Sequence, residues 1–375
     1  LSPARIPPKI DPTRAARDEV LRLHPYIPGK PIEEVREEFG LQEVIKLASN
    51  ESPLPPSEEV IREIHRAARR MNRYPDGQCR PLRHRLAQRL GIPPEAILFG
   101  NGAEECIRII AQTFIDPGEG AMIFPPTFDA YETATRLAGG RVIHVPLRHF
   151  RVDLKEALRT VDPRTKVIWI CSPNNPTGTL VKKAELDAFL QELPEDRIVV
   201  LDEAYREFVT VSEAADSRDY LLKDGRVIGI RTFSKAFGLA GVRVGYLLAH
   251  PALVELMAKV KLPFNVSVPA QAAALRALEE EGFVEEHVRR IVAGREFLRG
   301  ELESRGLNAV PSQANFLFVE VPLDGEELFR RLLPRGVVVR PGRIFGAPRF
   351  IRVTVGTEEQ NRRFLAALDE VLKNP

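Results

Sequence analysis

Val227-Ile-Gly-Ile-Arg231-Thr-Phe-Ser-Lys235-Ala-Phe-Gly-Leu-Ala-Gly-Val-Arg243-Val-Gly245-Tyr-Leu-Leu248 holds two short apolar runs joined by a turn of hydroxyls, a lysine and glycines. Runs this short and this continuously apolar read as strands buried on both faces. The texture repeats outward along the chain, at Ala96–Phe99, Ala121–Phe124, Val142–Val145, Val167–Cys171 and Ile198–Leu201. Helix-period segments such as Glu104–Phe114 and Lys182–Leu190 lie between most of them. Strand alternating with helix predicts an α/β fold with a mostly parallel sheet covered on both faces.

Beyond Pro263 the pattern changes. Residues 270–305 read as long helical segments, broken near Gly282, and then come strand-like stretches at 315–319, 337–340 and 350–355. Thr357-Glu-Glu-Gln360 is a capping-box signature for a last helix reaching about Leu372. The expectation is a large domain over 46–265 and a smaller α+β domain over 266–375. An N-terminal arm, 1–45, joins the smaller one; its first residues, Leu1 to Thr13, are proline-rich and lack hydrophobic periodicity.

The chain has 375 residues, with 54 basic and 52 acidic side chains giving a net charge of +2. That length allows two domains. Near-neutral charge argues against a protein built to grip nucleic acid. No apolar run approaches the ~18 residues of a membrane span, and no signal-peptide pattern opens the chain. Cys79, Cys106 and Cys171 lie far apart and in no C-x-x-C pair, so neither a disulfide framework nor a zinc site is expected. Cytoplasmic location is the expectation. Only twelve of the 54 basic residues are lysines. Lysine can lose its proton when desolvated and arginine cannot, so each lysine invites a question.

In open α/β sheets ligands bind beyond the carboxyl ends of the strands, so the residues just past each run carry the most information about function. After Ile97–Phe99 comes Gly100-Asn-Gly102-Ala103-Glu104, a glycine turn feeding a helix N-terminus, where free N–H groups suit an anion. An ordinary tight turn would have the same sequence. Ser172-Pro-Asn-Asn175-Pro-Thr-Gly178 fixes two neutral amides between prolines, suited to a ring oxygen. Asp202-Glu-Ala-Tyr205 ends an apolar strand in a carboxylate: a metal ligand, an ATPase acid, a helix cap or the counter-ion of a buried cation. No P-loop accompanies it. Lys235 comes after a strand among small apolar residues, where desolvation would lower its pKa and make it a nucleophile for a carbonyl. Arg243, expected on the next strand, adds a cation. Anion cradle, amide, carboxylate and lysine together match a phosphate, a ring hydroxyl, a ring nitrogen and an aldehyde, the groups of pyridoxal phosphate.

On these residues the chain resembles the fold-type I pyridoxal-phosphate aminotransferases of class I and II, and within them the histidinol-phosphate aminotransferase family. The likeness runs through Pro25-Tyr26-Ile-Pro-Gly-Lys-Pro-Ile32, Lys46-Leu-Ala-Ser-Asn50-Glu51 and Tyr74-Pro-Asp76. It continues through Asn174-Asn175-Pro-Thr-Gly178, Asp202-Glu-Ala-Tyr205, Ser234-Lys235-Ala-Phe-Gly-Leu-Ala-Gly241 and Arg352-Val-Thr-Val-Gly-Thr357. The lysine and Asn-Pro-Thr-Gly motifs carry the superfamily; the Pro-Tyr-Ile-Pro-Gly-Lys-Pro opening points to the subfamily.

The resemblance implies a role for each matching position. Lys235 would bond the cofactor's aldehyde and later shuttle a proton, with Asp202 on the ring nitrogen and Asn175 and Tyr205 on the ring hydroxyl. Gly102, Ala103, Glu104, Thr232, Ser234 and Arg243 would hold the phosphate, and Phe128 would stack on the ring. Tyr74 would reach the phosphate of a second subunit, implying a homodimer with shared sites. Tyr26, Asn50, Asn315, Arg340 and Arg352 would bind substrate, the arginines taking its anionic groups. The expected reaction transfers an amino group between histidinol phosphate and 2-oxoglutarate, with no metal. An aromatic-amino-acid aminotransferase or a threonine-phosphate decarboxylase-like enzyme would share the scaffold, and a cofactor-free binding protein would have no use for the Lys235–Asp202 pair. Asn50-Glu-Ser52-Pro-Leu-Pro-Pro56 departs from the family's usual Asn-Pro and Gly-Pro pattern, which bears on substrate choice.

Overall fold

A computed structural model describes residues 11–23, 25 and 28–373. Its strands, in chain order, are β1 (Ile45–Lys46), β2 (Ile97–Gly100), β3 (Gly120–Ile123), β4 (Arg141–His144), β5 (Thr165–Cys171), β6 (Ile198–Asp202) and β7 (Val227–Thr232). They continue with β8 (Gly245–Leu248), β9 (Ala309–Val310), β10 (Phe316–Glu320), β11 (Val337–Val338), β12 (Arg340–Pro341) and β13 (Phe350–Thr354).

Seven of them form one sheet in the order β2-β8-β7-β6-β5-β3-β4. Every pairing is parallel except those of β8, which runs against both β2 and β7. The continuous apolar runs are explained by burial on both sides. On β5, Val167, Trp169 and Cys171 face the helices Gly102–Phe114 and Ala130–Leu137. Ile168 and Ile170 face Lys183–Glu192 on the other side, the period-two alternation of a strand.

β12-β13-β10-β9 make a second, antiparallel sheet, and β1 pairs in parallel with β11. The N-terminal stretch is thereby tied to the C-terminal third. Helix Val268–Glu279 gives way to Glu281–Ser304 at Glu280 (φ −102°, ψ 54°), two residues before the expected break. The capping box opening helix Glu358–Lys373 is present in both directions. Thr357 N–H donates to Gln360 Oε1 at 3.0 Å, and Gln360 N–H to Thr357 Oγ1 at 3.2 Å. One apolar cluster runs unbroken from Phe99, Phe233 and Tyr246 to Phe316, Leu317 and Val353, so the two sheets share a core.

Candidate active site

β2, β6 and β7 all end at the same edge of the large sheet. Register places Gly245 between Gly100 and Thr232. Helix Gly102–Phe114 starts one residue past β2, and the Asn101 side chain makes no cap bond to it, so its first N–H groups keep no side-chain partner from the cap. Gly102 has φ +78°, and a Cβ there would fall 2.3 Å from Arg243 Nη2. A Cβ on Gly245 would fall 2.4 Å from the Ala103 nitrogen. Both glycines are required by close approach. The Thr232 hydroxyl donates to Ser234 Oγ at 2.9 Å and accepts the Ser234 N–H at 3.1 Å. Helix-end donors, paired hydroxyls and a guanidinium form a cradle for an anion such as a phosphate. Arg243 corrects one expectation: it precedes β8 instead of lying on it. Its left-handed turn (φ +64°, ψ 65°) brings the guanidinium back onto Gly102, with Nη1 donating to the Ala240 carbonyl at 3.0 Å.

Asp202, the last residue of β6, is 3% exposed. Its Oδ1 accepts the Ala204 N–H at 3.0 Å and its Oδ2 the Tyr131 hydroxyl at 2.7 Å. Burial pushes its pKa up to about 6, against the pull of those two hydrogen bonds. Lys235 Nζ donates to the Ser49 carbonyl at 3.4 Å and lies 5.8 Å from the centre of the Tyr205 ring. Burial first, then the Arg352 charge, lowers its pKa to about 8, leaving an amine within reach of neutrality. Tyr205 is buried edge-on to Phe316, and its oxygen accepts from Asn50 Nδ2 at 3.0 Å.

Asn50 joins the two sheets. Its N–H donates to Thr354 Oγ1 at 3.0 Å, the Thr354 hydroxyl donates to Asn50 Oδ1 at 3.1 Å, and Asn315 Nδ2 donates to its carbonyl at 3.2 Å. Arg352, in the middle of β13, donates to Asn175 Oδ1 and, at 2.6 Å, to the Ala48 carbonyl. Its guanidinium carbon lies 5.5 Å from the Phe316 ring centre and 5.4 Å from that of Phe345. Arg340 is directly opposite Arg352 across the strands, and both are buried.

Other expected residues lie differently. Tyr74 is on the surface, 82% exposed and stacked on Phe264. Phe128 is half-buried, its ring edge-on to Tyr131. Tyr26 lies outside the described residues. Of the adjacent amides, Asn175 meets Arg352, whereas Asn174 locks its loop through Pro126, Thr127 and Thr177. Sequence reasoning missed Tyr131, Thr354 and the carbonyls of Ala48 and Ser49. It also missed a buried ionic cluster beneath Asp202. Arg231 Nε donates to Glu203 at 2.9 Å and its Nη2 to Asp216 at 2.8 Å, while Ser217 N–H and Oγ donate to the same Glu203 carboxylate. No helix among the described residues is long and apolar enough to cross a membrane.

A mostly parallel sheet whose strand ends gather an anion cradle, a desolvated lysine and a buried carboxylate defines an enzyme that works on a phosphate-bearing partner through an amine. The family model for aminotransferases of class I and II matches residues 42–368, and the chain belongs to that family. Among curated relatives, the histidinol-phosphate aminotransferase of Moorella thermoacetica is 46% identical over 95% of this chain and 92% of its own. Among solved structures, that of the histidinol-phosphate aminotransferase from Sinorhizobium meliloti in complex with pyridoxal-5'-phosphate superposes with a TM-score of 0.87. It shares 28% identity, covering 95% of this chain and 97% of that one. The aspartate aminotransferase of Thermotoga maritima superposes at 0.82 with 26% identity, over 96% of this chain and 100% of that one.

Proposed function

We propose that this aminotransferase uses pyridoxal phosphate to move an amino group between histidinol phosphate and 2-oxoglutarate, yielding imidazole acetol phosphate and glutamate in histidine biosynthesis. The residues present fit the cofactor. The Gly102–Arg243 cradle, which a Cβ would fill, suits its phosphate, and Asp202 supplies a buried acid for its ring nitrogen. Bound there, the cofactor supplies a carbonyl that receives the amino group and a protonated ring that draws electrons from the substrate.

The protein's own residues do the rest. Ala103 and Glu104 N–H groups, Thr232, Ser234 and Arg243 hold the phosphate. Asn175 and Tyr205 orient the ring hydroxyl, Phe128 lies against the ring, and Asp202 favours the ring's protonated form. Lys235, with its pKa lowered to about 8, can bond a carbonyl and afterwards carry a proton. Asn50, Asn315, Arg340 and Arg352 form the substrate mouth.

One observation favours histidinol phosphate over an aromatic amino acid: two buried arginines face each other across β12 and β13. Two guanidiniums on one face suit a phosphate monoester, which carries more charge than a lone carboxylate. The test compares kcat/KM for histidinol phosphate, phenylalanine and tyrosine, each with 2-oxoglutarate. Preference for phenylalanine would end the histidine-pathway reading. Arg340→Ala should weaken use of the phosphorylated substrate at least tenfold more than use of glutamate, roughly the loss of one charge-assisted contact; equal losses would remove Arg340 from a phosphate role.

The same reading divides the chain at about 45 and 265, places Tyr74 against the phosphate of a second copy in a homodimer, and locates the enzyme in the cytoplasm. The exposed Tyr74–Phe264 stack supports an interface, and the unpaired, buried Cys79, Cys106 and Cys171 suit a reducing compartment.

A further inference from the structure

Asp202 stands in surroundings that favour its neutral form. Burial is the largest cause; Glu203, the next residue after the strand, adds a like charge, and across the pair with β5 lies the Cys171 thiol. Cys106 and Tyr205 also face it, and neither offers a positive charge. Lys235 is the cation among these neighbours, and it is itself half neutral near pH 8. A neutral carboxylic acid would be a poor partner for a protonated ring nitrogen.

Two hydrogen bonds work the other way, the Ala204 N–H on Oδ1 and the Tyr131 hydroxyl on Oδ2, and of these Tyr131 is the side chain. It is fully buried on the helix Ala130–Leu137, with its hydroxyl 2.7 Å from Asp202 Oδ2. Its ring lies flat on Trp169, 5.3 Å between centres and 12° between planes, and Phe128 meets it edge-on at 5.7 Å. Trp169 is on β5, two residues before Cys171, so the same strand that pairs with Asp202 also sets the height of the phenol. Burial and the Asp202 charge hold the phenol's own pKa well above its usual value, so it remains a donor. A phenol serving only as core filler would need no carboxylate at the end of its ring.

We propose that Tyr131 is a positioning residue for the reaction: clamped on Trp169, its phenol donates to Asp202 Oδ2 and holds that carboxylate ionised and in one orientation. This rests on the reading of Asp202 as the partner of the cofactor's ring nitrogen. The role acts through Asp202 and requires no contact between Tyr131 and the cofactor. Charge-assisted bonds of this kind are about twice as strong as neutral ones, enough to decide the ionisation of a buried acid.

The test observes the Asp202 carboxyl directly, by NMR titration of the full-length, cofactor-free protein carrying carboxyl-labelled aspartate, with Asp202→Asn assigning the signal. Tyr131→Phe should move the titration midpoint up by about one unit or more. A 3-fluorotyrosine placed at position 131 alone is a stronger donor of the same shape, and should move it down. In the cofactor-loaded enzyme, Tyr131→Phe should lower kcat about tenfold while leaving both KM values within about twofold. A midpoint unmoved in Tyr131→Phe, or not lowered by the fluorinated ring, overturns the proposal. Should Tyr131→Phe fail to fold, the fluorinated protein decides alone. Failure of the underlying cofactor reading shows separately: Asp202→Asn would then bind pyridoxal phosphate as tightly as the wild type, whatever the titrations give.

Discussion

Lys235 and Asp202 carry shifts of opposite sense, and each leaves a mark on stability that can be measured without turnover. The lysine loses its proton near pH 8 when folded and near 10.5 when unfolded. Between those values the unfolded chain binds more protons, so folding gains stability as pH rises through that window. Asp202 titrates near 6 folded against 3.8 unfolded, so the folded chain binds more protons there and stability falls as pH rises from about 4 to 6. In cofactor-free protein, Asp202→Asn should flatten the acid window and stand above the wild type in urea unfolding at pH 7. Lys235→Met should flatten the alkaline one. Either window surviving its substitution would show that another group causes it. In the loaded enzyme Lys235→Arg keeps the charge but offers no amine to bond a carbonyl. It should abolish turnover and the absorbance band of a lysine-bonded cofactor, leaving only that of the free aldehyde. The lysine was legible in the sequence because it came directly after an apolar strand in a lysine-poor chain. Tyr131 was not, because an aromatic on the inner face of a helix has the pattern of core whether or not its hydroxyl meets a carboxylate.

Single elements bring these residues together, and the glycines show how closely. Gly102→Ala would set a methyl against the Arg243 guanidinium at a position with φ +78°, and Gly245→Ala would set one against the Ala103 backbone nitrogen. The first obstruction is the far end of a flexible side chain; the second is backbone, which cannot give way without moving the helix. Both variants should weaken cofactor binding in an absorbance titration, Gly245→Ala by the larger factor, at least tenfold, or about 1.4 kcal/mol. Equal, small effects would mean that the cradle is not where the phosphate binds. Strand ends were readable ahead of the structure, since apolar runs, glycine turns and caps are local patterns. The turn at Arg243 was not, because Val242, Val244 and the residues after them continue the apolar texture while φ +64° at Arg243 breaks the strand. Nor was the ionic cluster, whose members Glu203, Asp216 and Arg231 are distant in sequence and meet only when β6 pairs with β7. Removing one partner from such a cluster leaves a buried charge uncompensated. Arg231→Met should therefore destabilise the fold by about 3–5 kcal/mol in denaturant unfolding, far more than its equally conspicuous surface counterparts would.

At the scale of the whole molecule, one expected site residue remains apart. Asn50 ties the strand-end site to the C-terminal sheet, and Arg352 reaches back to Asn175 and Ala48, so one chain brings Lys235, Asp202 and Arg352 together. Tyr74 sits instead on the surface stacked on the partly exposed Phe264, with Leu262 and Met71 also exposed. Large apolar side chains gathered on a surface suit contact with another protein, and a second copy is the economical partner because a two-fold contact would supply each site with the other's tyrosine. Subunit mixing separates this from a tyrosine that merely packs. Tyr74→Phe and Lys235→Ala should each be weakly active or inactive alone, the first with weakened cofactor binding. After unfolding and refolding together in equal amounts, half the dimers would be mixed, each with one site holding an intact Lys235 and its partner's intact Tyr74. Activity should then recover to about a quarter of the wild-type value. If Tyr74 served its own chain's site, no mixed dimer could rebuild a complete one, and mixing would give only the average of the two parents.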